Sequence, residues 1–79
     1  LNGILAEAGV HASSGRPLPG VEREAYAALL KAGFDRVDYV AIRHAEDLTP
    51  FRNDIVDAPA RILAAAWLGK TRLIDNMAV

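Results

Sequence analysis

Two residues near the end of the chain, Gly69-Lys70, constrain its folding more than any other pair. They separate the apolar run Pro59–Leu68 from the shorter segment Thr71-Arg72-Leu73-Ile74-Asp75-Asn76. Followed by Thr71, they read in one way as the end of a phosphate-binding loop. That loop needs G-x-x-x-x-G-K-[ST], because two glycines let backbone N–H groups wrap the phosphates. Five positions before Gly69 stands Ala64, not glycine. The segment after Thr71 is also short for the helix whose N-terminus should face a phosphate. The other reading is a two-residue hairpin turn, with Gly69 supplying positive φ and Lys70 at the exposed tip.

The segment before the turn carries conflicting local signals. Pro59 suits the first position of a helix, and Ala64-Ala65-Ala66 favours helix by propensity. The Gly-Lys turn and the Leu73-Ile74 pair favour a hairpin instead. On residue physics alone, helix and strand stay open for Pro59–Leu68.

Elsewhere the chain is easier to read. Val21 to Ala32 is expected to be a helix, because Val21, Ala25, Ala28, Leu29 and Ala32 recur on one face. Glu22 and Glu24 in its first turn and Lys31 in its last suit the helix dipole. Gly33 is expected at the left-handed C′ position, with Phe34 packing back on the last turn. Val37 to Arg43 reads as a strand, with Val37, Tyr39 and Ala41 on one face and Asp38, Val40 and Ile42 on the other. Leu1 to Ala8 reads as a short helix ended by Gly9. His11 to Gly20, with Ser13, Ser14, Gly15, Pro17, Pro19 and Gly20, reads as a linker. Ala45 to Pro50 reads as a turn region and Arg52 to Pro59 as a loop.

Composition narrows the function classes. A chain of 79 residues allows one small domain. A net charge of −1 gives no electrostatic footprint for nucleic acid or anionic lipid. Without cysteine there is neither a disulfide nor a thiolate metal site. No apolar run is long enough to span a bilayer, and no signal-peptide pattern opens the chain. The start at Leu1 and the scarcity of convergent polar groups suggest a piece of a larger enzyme.

From Gly33 to Met77 the chain resembles the C-terminal domain of the pantoate–beta-alanine ligase family. The blocks that carry the resemblance are Gly33-Phe34, Val37-Asp38-Tyr39-Val40, Asp47-Leu48 with Pro50, Ala60 through Gly69, and Thr71 through Asn76. The resemblance implies an α+β fold, a small antiparallel three-stranded sheet with helices packed on one face, and so a strand at 60–68. It implies a division into 1–20, a short helix and linker, and 21–79, a lid domain. The parent enzyme would be a cytoplasmic ligase that condenses pantoate with β-alanine through a pantoyl-adenylate, using ATP and Mg²⁺. Its partner would be the catalytic N-terminal domain, through which pantoate, β-alanine and ATP are met. The family's histidine-rich nucleotide motif and its Lys-Met-Ser-Ser-type loop match no position here. Hence no catalytic residue, metal ligand or cofactor of the fragment's own is expected. Lys70, Arg72, Asp75 and Asn76 are the candidates for facing the cleft.

Two other functions compete. One is a free-standing interaction module that adds a partner strand to an exposed sheet edge. The other is a small nucleotide-binding protein that uses Gly69-Lys70-Thr71. Among the remaining polar and aromatic residues, Trp67 and Tyr39 are expected in the core. His44 is one of only two histidines, too few for a metal site without other ligands.

Overall fold

The computed structural model describes all 79 residues. Helix α1 runs Asn2–Ser13 and α2 Leu18–Lys31; strands β1 Arg36–His44, β2 Ala60–Leu68 and β3 Thr71–Ala78 follow. The strands form one antiparallel sheet in the order β1-β2-β3. Both helices cover the same face, which makes the expected α+β fold.

The linker expectation fails at both ends. Gly9 does not stop α1, which continues to Ser13 because Leu5, Ala8 and Ala12 form a buried stripe against the sheet. Gly9 is itself buried under the chain's end, its Cβ direction 4.0 Å from the Val79 Cα. The hydroxyls of Ser13 and Ser14 donate to the Val10 and His11 carbonyls at 3.1 and 2.7 Å, satisfying acceptors at the frayed end. Helix α2 starts at Leu18, earlier than its apolar periodicity suggests. Pro19 falls in the first turn, where a missing N–H costs nothing. Leu18 N–H donates to the Asp54 carbonyl at 2.7 Å, so the β1–β2 loop caps this helix. Glu22 consequently lies beyond the first turn, where it has a different partner, described below.

The other end of α2 matches expectation. Gly33 takes φ 109°, Gly33 N–H donates to the Leu30 carbonyl and Phe34 N–H to that of Leu29. These two bonds define a Schellman motif. Phe34 joins Leu29, Val37 and Ala66 in a four-residue apolar cluster under the turn. A larger cluster of 11 buried residues lies between the helices and the middle of the sheet, with Leu5, Val21, Ile42 and Ile62 almost fully enclosed. Phe51 from the β1–β2 loop closes its far side.

Segment 60–68 is strand throughout, and it is the central one. Alanine's helix preference is overridden because β1 and β3 both hydrogen-bond to this segment, while Ala60, Ala64 and Ala66 let the helices approach closely. The hairpin to β3 uses Gly69 at φ 58°, with Lys70 outside the positive-φ region. That is the pattern of a type II′ turn.

Candidate functional site on the open sheet face

The face of the sheet without helices is built as four rows across the three strands. They are Arg36–Trp67–Arg72, Tyr39–Ala65–Ile74, Ala41–Leu63–Asn76 and Arg43–Arg61–Ala78. The middle rows are mostly apolar and the outer two hold four arginines. Ala65 is fully buried although no helix covers it, screened by the side chains around it. Ile74, in contrast, is 62 % exposed.

A β-bulge creates the polar corner of this face. Val37 pairs with Ala66 and Tyr39 with Ala65, leaving Asp38 as the extra residue. The bulge reverses the alternation of β1 beyond it. Val37 therefore shares the helix-covered face with Val40 and Ile42, while Tyr39 and Ala41 face the other way. The expected grouping of Val37 with Tyr39 and Ala41 is corrected for this reason. Tyr39 and Trp67 are also not core residues; both lie on the open face, half-buried or exposed.

Asp38 gathers three neighbours. Trp67 Nε1 donates to its Oδ2 at 3.0 Å, and Arg72 Nε donates to the same oxygen at 2.9 Å. Arg36 Nε lies 3.5 Å from Oδ1, and the Arg36 guanidinium carbon sits 4.7 Å from the centre of the Trp67 ring. The indole hydrogen bond first, then that from Arg72, with the two arginine charges adding to them, holds the Asp38 carboxyl below the usual carboxylate range. Two arginines and an indole are thereby locked into one arrangement by a single carboxylate.

The four candidates from sequence end up in four places. Arg72 belongs to the Asp38 corner. Asn76 is on the same face but two rows away, accepting from Arg61 Nε at 2.8 Å. Asp75 lies on the helix side of β3, and its Oδ1 accepts from the Asn76 N–H at 2.8 Å. Lys70 is at the hairpin tip, beside a shallow hollow lined by Asp35, Arg36, Trp67 and Gly69. Asp38, Trp67, Arg36 and Arg61 were not among the candidates. Parity along β2 puts Arg61, Leu63, Ala65 and Trp67 on one face and was readable for those four; the bulge that brings Asp38 to them was not.

The hairpin does not fit a nucleotide triphosphate. Gly69 N–H, which a phosphate would need, already donates to Asp35 Oδ2 at 2.5 Å. Strand β3 follows directly, so no helix N-terminus faces the turn. The sheet edges are partly closed as well. On β1, Ile42 N–H donates to Glu22 Oε2 at 2.7 Å; on β3, Asp75 takes the Asn76 N–H. Carboxylates placed on edge N–H groups oppose strand addition at those positions.

Away from the sheet face, the β1–β2 loop is shaped by local bonds. The Thr49 hydroxyl and amide donate to Asp47 Oδ1 at 2.7 and 3.1 Å, which with the nearby His44 lowers the Asp47 carboxyl. His44 stacks on Phe51 with ring centres 3.9 Å apart.

Comparison with known proteins places this unit. The profile of the family described as pantoate-beta-alanine ligase matches residues 2–78. Pantothenate synthetase of Caulobacter vibrioides is 59 % identical over 68 residues, covering 85 % of this chain and 24 % of that protein. Pantothenate synthetase of Mesorhizobium japonicum is 47 % identical over 79 residues, covering 100 % of this chain and 27 % of that protein. The crystal structure of pantothenate synthetase from Thermus thermophilus superposes with a TM-score of 0.75 at 32 % identity, covering 94 % of this chain and 26 % of that one. The fold and its partners in comparison define one α+β portion of a ligase. The chain belongs to the pantoate-beta-alanine ligase family, and it spans about a quarter of the length of the relatives it matches. The match includes α1 and the α1–α2 connection, so the resemblance extends well beyond the blocks from Gly33 onward.

Proposed function

We propose that this chain is the C-terminal lid of a pantothenate synthetase. The whole enzyme would join pantoate to β-alanine with ATP and Mg²⁺ in the cytoplasm, and its catalytic groups would reside in the N-terminal domain. The observation that carries this reading is the family match along 2–78 to relatives about four times longer. The chain's own chemistry agrees with a covering role, since its buried core is wholly apolar.

The hairpin amide that a phosphate would need is bonded to Asp35, and no three acidic or histidine side chains cluster in the chain, so no chemical step is assigned to its residues. Their contribution is geometric and dielectric. Closing over a cleft excludes water, strengthens the electrostatics inside and protects an activated acyl group from hydrolysis. Lys70, Arg72 and Asn76 would belong to the closing surface, with Asp75 supporting it from the helix side.

The test replaces the matching quarter of a full-length relative with these 79 residues. The chimera should form pantothenate from pantoate, β-alanine and ATP, and the chain by itself should form none. Turnover by the chain alone, or a folded chimera that makes no pantothenate, would overturn the reading.

A further inference from the structure

We infer that the open sheet face is the lid's contact surface toward the remaining three-quarters of the enzyme, and that it docks on a surface with an apolar centre and an acidic rim. The inference rests on the lid reading above and says which of the two sides of the domain closes.

Three observations carry it. The first is the pattern of the four rows: Tyr39, Ala65, Leu63 and Ile74 occupy the middle, and arginines stand at both ends. The chain as a whole carries −1, yet on this face Arg36, Arg72 and Arg61 stand against Asp38 alone, while Arg43 at the β1 edge is paired with Glu22 at 3.5 Å. An apolar centre with a polar rim is the anatomy of a docking surface, and the excess of arginine selects a partner of opposite charge.

The second is preorganisation. Asp38 fixes Arg72 and Trp67 by hydrogen bonds, and Arg36 lies over the indole ring. Arg61 is held by Asn76. Long side chains ordered before contact lose less entropy on docking. Trp and Arg are also the residues enriched where interfaces concentrate their energy.

The third is the contrast with the outer surface of the helices. There Tyr26 and Leu30, neighbours at i and i+4 on α2, and Val10 on α1 are exposed, but the charges among them, Glu7, Arg23, Glu24 and Lys31, are of mixed sign, and Glu24 is paired with Arg16. A mixed-sign surround does not select a partner by charge as the arginines of the open face do.

Trp67 is the chain's only tryptophan and lies on the open face, so it reports directly. The experiment ligates the 79-residue chain, labelled with 5-fluorotryptophan, in place of the matching quarter of the Mesorhizobium japonicum relative, which it matches along its whole length. The ¹⁹F resonance is then compared with that of the isolated chain, and turnover is measured. Ile74→Asp and Arg61→Glu alter the open face; Val10→Asp alters the helix surface.

The Trp67 resonance should shift on assembly, and Ile74→Asp should return it toward its isolated position. That variant should lower turnover about tenfold or more, because an unpaired carboxylate in a desolvated contact is costly. Arg61→Glu should act in the same direction, and Val10→Asp should change neither readout. An unshifted Trp67 resonance in an active chimera, with Val10→Asp as the damaging change, would overturn the inference and leave the lid reading standing. An unmodified chimera that makes no pantothenate would sink the lid reading itself, while the Trp67 resonance would still show whether this face is covered.

Discussion

The two faces of strand β2 have opposite characters. Toward the helices it presents Ala60, Ile62, Ala64 and Ala66, all 3 % exposed or less. Away from them it presents Arg61, Leu63, Ala65 and Trp67, three of them large and two with polar ends. Small residues on the first face let two helices lie close to the sheet and build the core. Large amphipathic residues on the second screen one another while leaving Ile74 in water. One strand thus serves stability on one side and recognition on the other, and substitutions should separate the two roles.

The largest effect should come from the core. Ile62→Ala or Leu5→Ala should cost about 2–5 kcal/mol in urea unfolding. A chain of 79 residues has a total of only about 4–12 kcal/mol at the usual stability per residue, so either change endangers the fold. A cost below about 1 kcal/mol would mean that the helix-covered face is not the core described here.

Next comes the junction between α2 and the sheet. Gly33→Val forces a β-branched side chain to φ 109° and should cost about 1–3 kcal/mol by thermal melting. Amide exchange should quicken first in the last turn of α2. Exchange that quickens uniformly along the chain would show that the Schellman motif is not a local lock.

The Asp38 corner should reveal itself through pH. Its folded carboxyl titrates below the ordinary value, so its contribution is complete above about pH 4 and is lost as the pH falls through the depressed value. Trp67 emission should follow this titration, because its indole N–H donates to the same carboxylate. Asp38→Asn should abolish that acid transition in emission. If it persists in the variant, another group controls the indole.

The smallest effect is the most useful for the comparison. Ile74→Ala in the isolated chain should move stability by no more than about 0.5 kcal/mol, since the side chain is largely in water. A loss equal to that of Ile62→Ala would erase the distinction between the faces.

Several of these features were readable in advance. The Gly33-Phe34 cap and the Gly69-Lys70 hairpin follow from local backbone chemistry, and both are present. The strand at 60–68 did not follow from residue physics; the family resemblance selected it against an alanine-rich helix. The break at 11–20 was misplaced because punctuating residues also fit inside helix ends. Pro19 needs no N–H in the first turn, and Ser13 and Ser14 bond to the carbonyls behind them. The candidate site was legible only in part. Arg72 and Asn76 share the open face as strand parity predicts, whereas their partners Asp38 and Arg61 lie on other strands.

The sequence by itself determined where the chain turns, which residues end α2, and that one small apolar domain forms. These outcomes depend on φ preferences and on periodicities read within a few residues. Tertiary structure alone decided that Asp38 bulges out of β1, that an alanine run becomes the central strand, and that a carboxylate, an indole and two arginines meet. Those outcomes depend on hydrogen bonds between strands far apart along the chain, whose register no local preference specifies.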